Sequence, residues 1–423
     1  MKERQYLCID LKSFYASVEC ADRDLDPMTT NLVVADPERS DKTICLAITP
    51  PMKKLGISNR CRVFEIPDNV QYITAPPRMR RYIEYAAEIY AIYLRFVSKD
   101  DIHVYSIDEV FIDVTDYMFL YHTNAKELGK AMMEAVYREL GIRATCGIGT
   151  NLYLAKIALD ITAKHAEDFI GVLDEESYRK TLWQHTPITD FWRVGKGVSK
   201  RLEKMGIYTM EGIAKADEEA LYKVFGIDAE LLIDHAWGRE PTTMQDIKSY
   251  KPKTNCITSG QVLMRDYAFE EGKLIVKEMM DLMCLDMVEK QVITKSVTLH
   301  VGYSNALKAS PAHGSFLLDT PTSADVVLIP EIEALYQRIV DPFMPVRRIN
   351  ISCNNLTDEC ETFTQLSLFE EPKDTEKNKK IQQAVLKIKN QFGKNAIFKG
   401  MNLTESATTL ERNNQIGGHK SGE

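Results

Sequence analysis

No stretch of the 423-residue sequence reaches the roughly 18 consecutive apolar residues that a membrane-spanning helix needs, and the start, MKERQYLCID, lacks the apolar core of a signal peptide. We therefore expect a cytoplasmic protein with no membrane partner. The nine cysteines include no Cys-x-x-Cys pair, which argues against a zinc ribbon and a disulfide framework. The sequence also has no excess of basic residues: it contains 53 Lys and Arg and 61 Asp and Glu, which gives a net charge of −8. Any DNA-binding surface must therefore be local.

What is present is the composition of a folded, multidomain protein. Hydrophobic residues make up 44% of the chain and charged residues 27%, as in globular proteins. At about 100 to 200 residues per domain, the length predicts two to four domains.

The N-terminal part of the chain has the element order of a ferredoxin-like, or split βαβ, unit. Short apolar runs and apolar residues three or four apart predict strands at 6–9, 103–106, 110–114 and 144–148, and helices at 14–21, 78–97 and 128–140. Asn151 is predicted to cap a further helix. Seven prolines interrupt residues 22–77, which indicates a small inserted subdomain.

The rest of the chain predicts a helical module and then a second α+β unit. The helical region spans about 174–238, and a lysine-containing linker follows it. The order strand, helix, strand, strand, helix, strand then returns between 257 and 353, without a repeat at the sequence level. A lysine-rich amphipathic helix is predicted at 374–392, ended by Gly393, and the polar remainder is expected to be loosely ordered.

Three carboxylates are expected at one edge of the first sheet. Asp10 ends the first strand, and Asp108 and Glu109 form the tip of the neighbouring hairpin. Mg²⁺ prefers oxygen ligands and is typically held by a few carboxylates together with substrate phosphates. Two such ions about 3.5 to 4 Å apart would activate an attacking hydroxyl and stabilise a leaving pyrophosphate. The backbone carbonyl of Leu11 is a further candidate ligand.

Acids at strand ends can also have less specific roles. Any one of them taken alone is more often a solvated turn residue. A nucleotide cyclase uses a similar sheet and metals, although no GGDEF-type motif is present. The convergence of three acids on one edge favours a metal site over isolated turn residues.

Two motifs around these acids resemble those of Y-family translesion DNA polymerases. The segment DLKSFYASVE at 10–19 is similar to the family's D-x-x-x-F-Y-A-x-V-E motif, and YSIDE at 105–109 is similar to its second motif. Residues 53–59 and the C-terminal tail look more like the UmuC-like and UvrX-like (ImpB/MucB/SamB) polymerases of Gram-positive bacteria and their mobile elements than like the archaeal members.

This resemblance implies an α+β multidomain fold of the right-hand polymerase type. The implied parts are a ferredoxin-like palm, small fingers, a helix-hairpin-helix thumb, a linker, a second α+β domain called the little finger, and a tail. Their expected bounds are 1–21 with 78–170 for the palm, 22–77 for the fingers, 171–241 for the thumb, 242–255 for the linker, 256–360 for the little finger and 361–423 for the tail.

The resemblance also implies roles for individual residues. Asp10, Asp108 and Glu109 match the family's metal-binding carboxylates. Tyr15 matches the steric gate, an aromatic ring under the sugar that excludes a ribonucleotide's 2′-hydroxyl; otherwise it would be a buried helix aromatic. Phe14 is expected to pack into the core beside the gate, because adjacent helix positions face apart.

Two lysines are expected to bind the triphosphate of the incoming nucleotide. Lys156 matches the family's triphosphate-binding lysine, and would otherwise lie on a solvated face. Lys53 stands where many members have an arginine, and Pro50 where they have a tyrosine. Lysine cannot reproduce the bidentate contact of arginine, so this sequence departs from the family pattern in the fingers.

Two further segments imply partners. The segment RVGKGVSKRL at 193–202 resembles a helix-hairpin-helix, which contacts DNA phosphates without sequence preference and would otherwise be a plain αα-hairpin. The contact residues expected there are Arg193, Gly195, Lys196, Gly197, Lys200 and Arg201. The segment QLSLF resembles a sliding-clamp-binding peptide. Its expected anchors are Gln365, Leu366, Leu368 and Phe369.

Taken as a whole, the resemblance implies a DNA-directed DNA polymerase that extends a primer across damaged template with Mg²⁺ and dNTPs. Its role would be error-prone repair of the SOS type, without proofreading. The implied partners are primer–template DNA, dNTPs and the bacterial sliding clamp, with accessory subunits or a recombinase as further candidates. The rival functions are a nucleotide cyclase and a non-catalytic, DNA- and clamp-binding accessory member of the same family.

Overall fold

A computed structural model describes residues 4–252, 255–361 and 375–422. The chain forms two compact units, which we call the N-terminal unit (Met1–Tyr250 with Lys420–Glu423) and the C-terminal unit (Lys251–His419). Among the described residues, no helix combines the length and the apolar character that crossing a membrane would require.

The N-terminal unit begins with short strands and three helices. They are β1 (Tyr6–Leu11), α1 (Phe14–Ala21), β2 (Leu32–Val34), β3 (Ala47–Ile48), α2 (Pro50–Lys54), β4 (Ile73–Ala75) and α3 (Met79–Tyr93). The next elements are β5 (Ile102–Val104), β6 (Glu109–Asp113), α4 (Thr115–Leu120), α5 (Ala125–Leu140), β7 (Ala144–Gly149), α6 (Leu152–Ile157) and β8 (Ile170–Leu173). Asn151 caps α6, as predicted, because its side chain accepts a hydrogen bond from the N–H of Leu154 at 2.8 Å.

The five-stranded sheet of this unit has the order β5-β6-β1-β7-β8. β1 lies in the middle and pairs antiparallel with β6 and β7, as in the predicted ferredoxin-like unit. β8 adds a strand parallel to β7 that the sequence did not predict. Successive residues of a strand face opposite sides: Leu7 lies near Gly129 of α5, whereas Cys8 clusters with Leu152 and Ala155 of α6. Both faces of the sheet are thus covered, which explains the continuous apolar run in β1.

The inserted segment at 22–77 is more regular than its prolines suggested. β2 pairs antiparallel with β3 and parallel with β4, in the order β3-β2-β4. Val33, Ile48 and Met52 form the centre of its apolar cluster. The strands contain only two or three residues each, too few to show a period in the sequence.

A helical region completes the N-terminal unit. It consists of α7 (Glu175–Leu182), α8 (Lys196–Lys204), α9 (Met210–Ala214), α10 (Glu218–Phe225), α11 (Asp228–Trp237) and α12 (Met244–Ser249). α12 falls in the stretch predicted as a linker, and Met244 is buried among side chains of the first sheet and α6. The bounds of palm, fingers, thumb and little finger stay predictions.

The C-terminal unit is a second α+β structure with a helical extension. Its elements are β9 (Ile257–Tyr267), α13 (Phe269–Glu289), β10 (Val292–Tyr303), β11 (Ala312–Thr322), α14 (Asp325–Ile339), β12 (Val346–Asn354), β13 (Thr357–Asp358), α15 (Thr375–Phe392), α16 (Thr409–Asn413) and β14 (Gln415–Ile416), and β15 (His419–Lys420) follows. The sheet order is β11-β10-β12-β9, with every pair antiparallel. α15 ends before Gly393, whose φ is 98°, as predicted.

The polar stretch after α15 packs against α13. Glu278 on α13 is 1% exposed. It accepts hydrogen bonds from the side chain of Asn402 at 2.7 Å and from the N–H of Thr408 at 2.8 Å. The expectation of a loosely ordered tail is therefore wrong for this stretch. A buried carboxylate requires such donors, and that requirement arises on a helix more than a hundred residues earlier in the chain.

Candidate active site

Asp10, Asp108 and Glu109 lie together where β1 ends and β6 begins. We call these three residues the acidic edge. β1 and β6 run antiparallel with Asp10 directly opposite Glu109. The N–H of Leu11 donates to the carbonyl oxygen of Asp108 at 2.9 Å. The backbone therefore brings together the three acids that the two motifs contain.

The side chains of two of these acids have protein partners. The Oε2 atom of Glu109 lies 2.8 Å from Nζ of Lys156, and its Oε1 accepts a hydrogen bond from Sγ of Cys8 at 3.3 Å. Oδ1 of Asp108 accepts from Oγ of Ser106 at 2.7 Å. Within the described residues, no group of three or more His, Cys, Asp or Glu side chains is arranged so that it could hold a metal ion.

The acidic edge nevertheless fits a hard cation. Burial raises the pKa of Asp10 to about 7, and the charges of Asp108 and Glu109 add to this effect, while Lys156 and Lys164 oppose it. A divalent cation between these carboxylates would remove their mutual repulsion. The donor atoms are oxygens, which Mg²⁺ prefers.

Lys156 is placed in this site by a close approach between α6 and β7. A Cβ on Gly149 would lie 2.2 Å from the N atom of Ala155, so only glycine allows α6 to rest directly on the strand. Nζ of Lys156 also contacts Asp160 at 3.1 Å. Burial tends to lower the pKa of Lys156, but Cys8 and the acids around it outweigh burial and raise the pKa above its usual range.

A second group of lysines lies near Asp10, and the sequence analysis identified only Lys53 among them. Burial lowers the pKa of Lys12, and the charges of Lys53 and Lys164 lower it further, while Asp10 opposes both effects. Burial and Lys164 likewise lower the pKa of Lys53. Mutual repulsion between cations beside the acidic edge is typical of an anion-binding site. We call Lys12, Lys53 and Lys164 the lysine cluster.

Lys12 could have been identified from the sequence, because it stands two residues after Asp10 in the first motif. Its proximity to Lys53 on α2 is set by the fold. Nζ of Lys12 lies 4.2 Å from the ring centre of Phe169, and Lys164 is 3.7 Å from Asp160.

The chain turns sharply between Asp10 and α1. Ser13 has φ 48° and ψ 45°, in the left-handed region, and its buried Oγ has no hydrogen-bond partner. Oγ of Ser17 donates to the carbonyl oxygen of Lys12 at 2.6 Å and holds the turn. The first N–H groups of a helix lack intrahelical acceptors, and those of α1 follow Asp10 by only a few residues.

Phe14 and Tyr15 differ in their surroundings, as the sequence predicted. Phe14 is buried at 3% exposure, whereas Tyr15 is partly exposed. Burial raises the pKa of Tyr15, and the carboxylate of Asp108 raises it further. The Tyr15 ring stacks on Tyr82 of α3, a residue that the motifs did not single out.

Within the predicted helix-hairpin-helix segment 193–202, Gly195 is the N-cap of α8. Cβ atoms added to Gly195 or Gly197 would meet nothing within 4 Å, so the backbone there is open to a ligand. Lys196 and Lys200 are exposed. Arg201 is exposed as well and lies over the ring of Phe225, 4.4 Å from its centre.

Arg193 also differs from the lysines. It has a positive φ of 68°, and its guanidinium lies 5.0 Å from the ring centre of Trp192. The clamp-peptide residues Gln365, Leu366, Leu368 and Phe369 lie outside the described residues.

Comparisons with known proteins agree with this architecture. The model of the impB/mucB/samB family matches residues 9–160, and that of the impB/mucB/samB family C-terminal domain matches 256–368. The putative UV-damage repair protein UvrX of Bacillus subtilis (strain 168) is 32% identical, with 99% of this chain and 98% of the relative covered. DNA polymerase IV 2 of the same strain is 30% identical, with 99% of both chains covered.

A solved Y-family DNA polymerase chimera of Dbh and Dpo4 has the same fold. The TM-score is 0.65 at 18% identity, and the match covers 83% of this chain and 99% of the chimera. The multidomain α+β polymerase fold predicted from the sequence is thereby confirmed. The chain belongs to the impB/mucB/samB family, the UmuC-like group of Y-family polymerases, and it is a DNA-directed DNA polymerase.

Proposed function

We propose that this polymerase performs error-prone translesion synthesis in an SOS-type damage response, by two-metal, Mg²⁺-dependent nucleotidyl transfer without proofreading. The observation that carries the proposal is the acidic edge, where Asp10 lies opposite Glu109 and Asp108 is tied to Leu11. Family membership supplies the general activity, DNA synthesis on a damaged template in repair.

Asp10, Asp108, Glu109 and the carbonyl of Leu11 are the groups that would hold two Mg²⁺ ions. When bound, the ions supply activation of the primer's 3′-hydroxyl and stabilisation of the leaving pyrophosphate. Asp10 must give up the proton that a pKa of about 7 lets it carry at neutral pH. Glu109 must turn from Lys156, and this exchange would free the ammonium of Lys156 for the substrate's phosphates.

The lysine cluster is proposed to receive the triphosphate of the incoming nucleotide together with Lys156. Its members repel one another in the free protein, and a polyanion would relieve that repulsion. The unused N–H donors at the start of α1 suit the same ligand. Three lysines beside the acidic edge supply charge where the family's arginine is missing, although without its bidentate geometry.

Tyr15 is proposed to exclude ribonucleotides. Replacing Tyr15 with alanine should raise the ratio of ribonucleotide to deoxyribonucleotide kcat/KM by about 100-fold, because the ring no longer meets the 2′-hydroxyl. Single-nucleotide incorporation with CTP and dCTP opposite a template guanine measures this ratio. Tyr15→Phe keeps the ring and serves as the control. An unchanged ratio in Tyr15→Ala would leave Tyr15 as a packing aromatic only.

The exposed start of α8 is proposed to contact the phosphates of primer–template DNA. Lys196 and Lys200 project from a backbone that carries Gly195 and Gly197. Such contacts are independent of sequence, which a polymerase requires, and they weaken with salt.

The peptide QLSLF is proposed to bind the bacterial sliding clamp. Replacing Leu368 and Phe369 with alanine should abolish clamp-stimulated synthesis and leave basal synthesis unchanged, because the two apolar anchors are lost. Primer extension with and without clamp measures the stimulation. Thr362→Ala with Thr364→Ala, just before the peptide, is the matched control. Equal stimulation of the Leu368 and Phe369 variant and the wild type would reject this assignment.

The proposed function is tested by extending a 5′-labelled primer on undamaged and abasic templates with Mg²⁺ and four dNTPs. We expect synthesis on both templates, dependent on primer and template. A cyclase would consume nucleotides without them. DNA binding without extension, even with clamp and a recombinase filament added, would instead favour the non-catalytic accessory function.

A further inference from the structure

The Tyr15 ring is backed by a second tyrosine. The rings of Tyr15 on α1 and Tyr82 on α3 stack with their centres 4.5 Å apart and an interplanar angle of 18°. Tyr82 is fully buried, whereas Tyr15 is half-buried. The Tyr15 ring therefore cannot move toward α3 without displacing the buried ring of Tyr82.

The Tyr82 ring is itself held by a buried carboxylate. Its hydroxyl donates to Oε1 of Glu19 at 2.8 Å. Glu19 is fully buried and accepts two hydrogen bonds from Arg78, each of 2.9 Å, and Arg23 contacts it as well. Charge-assisted, bidentate contacts of this kind restrict movement more than a neutral hydrogen bond does.

Further contacts join the same two helices. Arg78 also contacts Asp22 at 2.7 Å, and the hydroxyl of Tyr85 donates to Asp22 at 2.8 Å. These contacts tie the C-terminal end of α1 to the first turns of α3. Tyr82 forms a rigid support inside this network.

We propose that Tyr82 is a positioning residue for sugar discrimination, acting through Tyr15. The inference rests on the proposed role of Tyr15 as the ring that excludes the 2′-hydroxyl. A gate excludes a hydroxyl group only when its ring cannot move away from the sugar. The cost of displacing Tyr15 is the cost of displacing the Tyr82 ring, which is buried on α3 and bonded to Glu19.

The ring of Tyr82 matters more than its hydroxyl in this arrangement. Methionine has a similar volume but bends readily, so Tyr82→Met fills the space behind Tyr15 without making it rigid. Tyr82→Phe keeps the stacked ring and loses only the bond to Glu19. Tyr85→Met on the same helix removes a ring and a bond to Asp22 but leaves the stack, so it is the matched control.

The test compares kcat/KM for CTP and dCTP opposite a template guanine in wild type, Tyr82→Met, Tyr82→Phe, Tyr85→Met, Tyr15→Ala and the double variant Tyr15→Ala/Tyr82→Met. Tyr82→Met should lose about 10-fold in discrimination against CTP, whereas Tyr82→Phe and Tyr85→Met should stay within about 3-fold of wild type. The double variant should match Tyr15→Ala, because a residue that acts through Tyr15 has no effect once Tyr15 is gone.

Three results would overturn the inference. A purely structural role of Tyr82 would lower kcat/KM equally for CTP and dCTP and leave their ratio unchanged. A further change of the ratio in the double variant would mean that Tyr82 acts independently of Tyr15. If Tyr82→Met does not fold by its thermal transition, Tyr82→Leu also removes the stacked ring and keeps an apolar side chain in the buried site. An unchanged ratio in Tyr82→Leu would then count against the inference.

The failure of this inference differs from failure of the Tyr15 assignment. If Tyr15→Ala alters the ratio and Tyr82→Met does not, only the role of Tyr82 is wrong. If Tyr15→Ala leaves the ratio unchanged, the gate itself is wrong, and the inference falls with it.

Discussion

Replacing Asp108 with alanine should lower nucleotide incorporation by about 1,000-fold or more while primer–template affinity changes by less than about twofold. Asp108 is one of three acids at the sheet edge, and its side chain accepts a hydrogen bond from Ser106 of the same hairpin. Loss of this carboxylate removes a proposed metal ligand but no proposed DNA contact. Single-turnover incorporation and a fluorescence-anisotropy measurement of DNA binding report the two quantities separately.

An exposed acid just before the hairpin provides the control for this variant. Asp100 precedes β5 and is exposed, so Asp100→Ala should incorporate nucleotides at the wild-type rate. Normal turnover in Asp108→Ala would reject the assignment of the acidic edge as the active site. Equal losses in both variants would point to a general effect of removing negative charge.

Replacing Lys156 with methionine should lower the free energy of unfolding of the N-terminal unit by about 3 kcal/mol, because it leaves the Glu109 carboxylate buried without its cation. The side chains of Lys156 and Glu109 are only 8% and 9% exposed. All three tryptophans lie in the N-terminal unit. Urea denaturation followed by tryptophan fluorescence at pH 7 therefore reports this unit.

The double variant Lys156→Met/Glu109→Gln separates the ion pair from simple packing. Because both charges are removed, the free energy of unfolding should fall less in the double variant than in Lys156→Met alone. Lys164→Met, at a more exposed lysine of the same site, should cost less than about 1 kcal/mol. If Lys156→Met is as stable as wild type, the Lys156–Glu109 pair does not hold the protein together.

The order of helices and strands could be predicted from the sequence because the two structures have different apolar periods. The strand predicted at 6–9 became β1, and the helix predicted at 14–21 became α1. Their ends differ by at most two residues from the prediction. β2, β3 and β4 were missed because they contain only two or three residues each and lie in a segment that prolines interrupt.

The pairing of strands could not be predicted in the same way. The two α+β units share one element order, yet β1 lies in the centre of its sheet and β9 lies at the edge of the other. Apolar alternation specifies which face of a strand is buried. The neighbour of that strand depends on contacts between distant parts of the chain, as in the pairing of β9 with β12.

From the sequence alone one could predict that Asp10, Asp108 and Glu109 would meet, because these motif residues stand at the ends of neighbouring strands. The charges and rings around the site could not be predicted in this way, because they come from other elements of the fold. The tertiary structure pairs Glu109 with Lys156 and places Tyr82 behind Tyr15. These contacts join different elements, and the burial that makes them strong exists only after the elements have packed together.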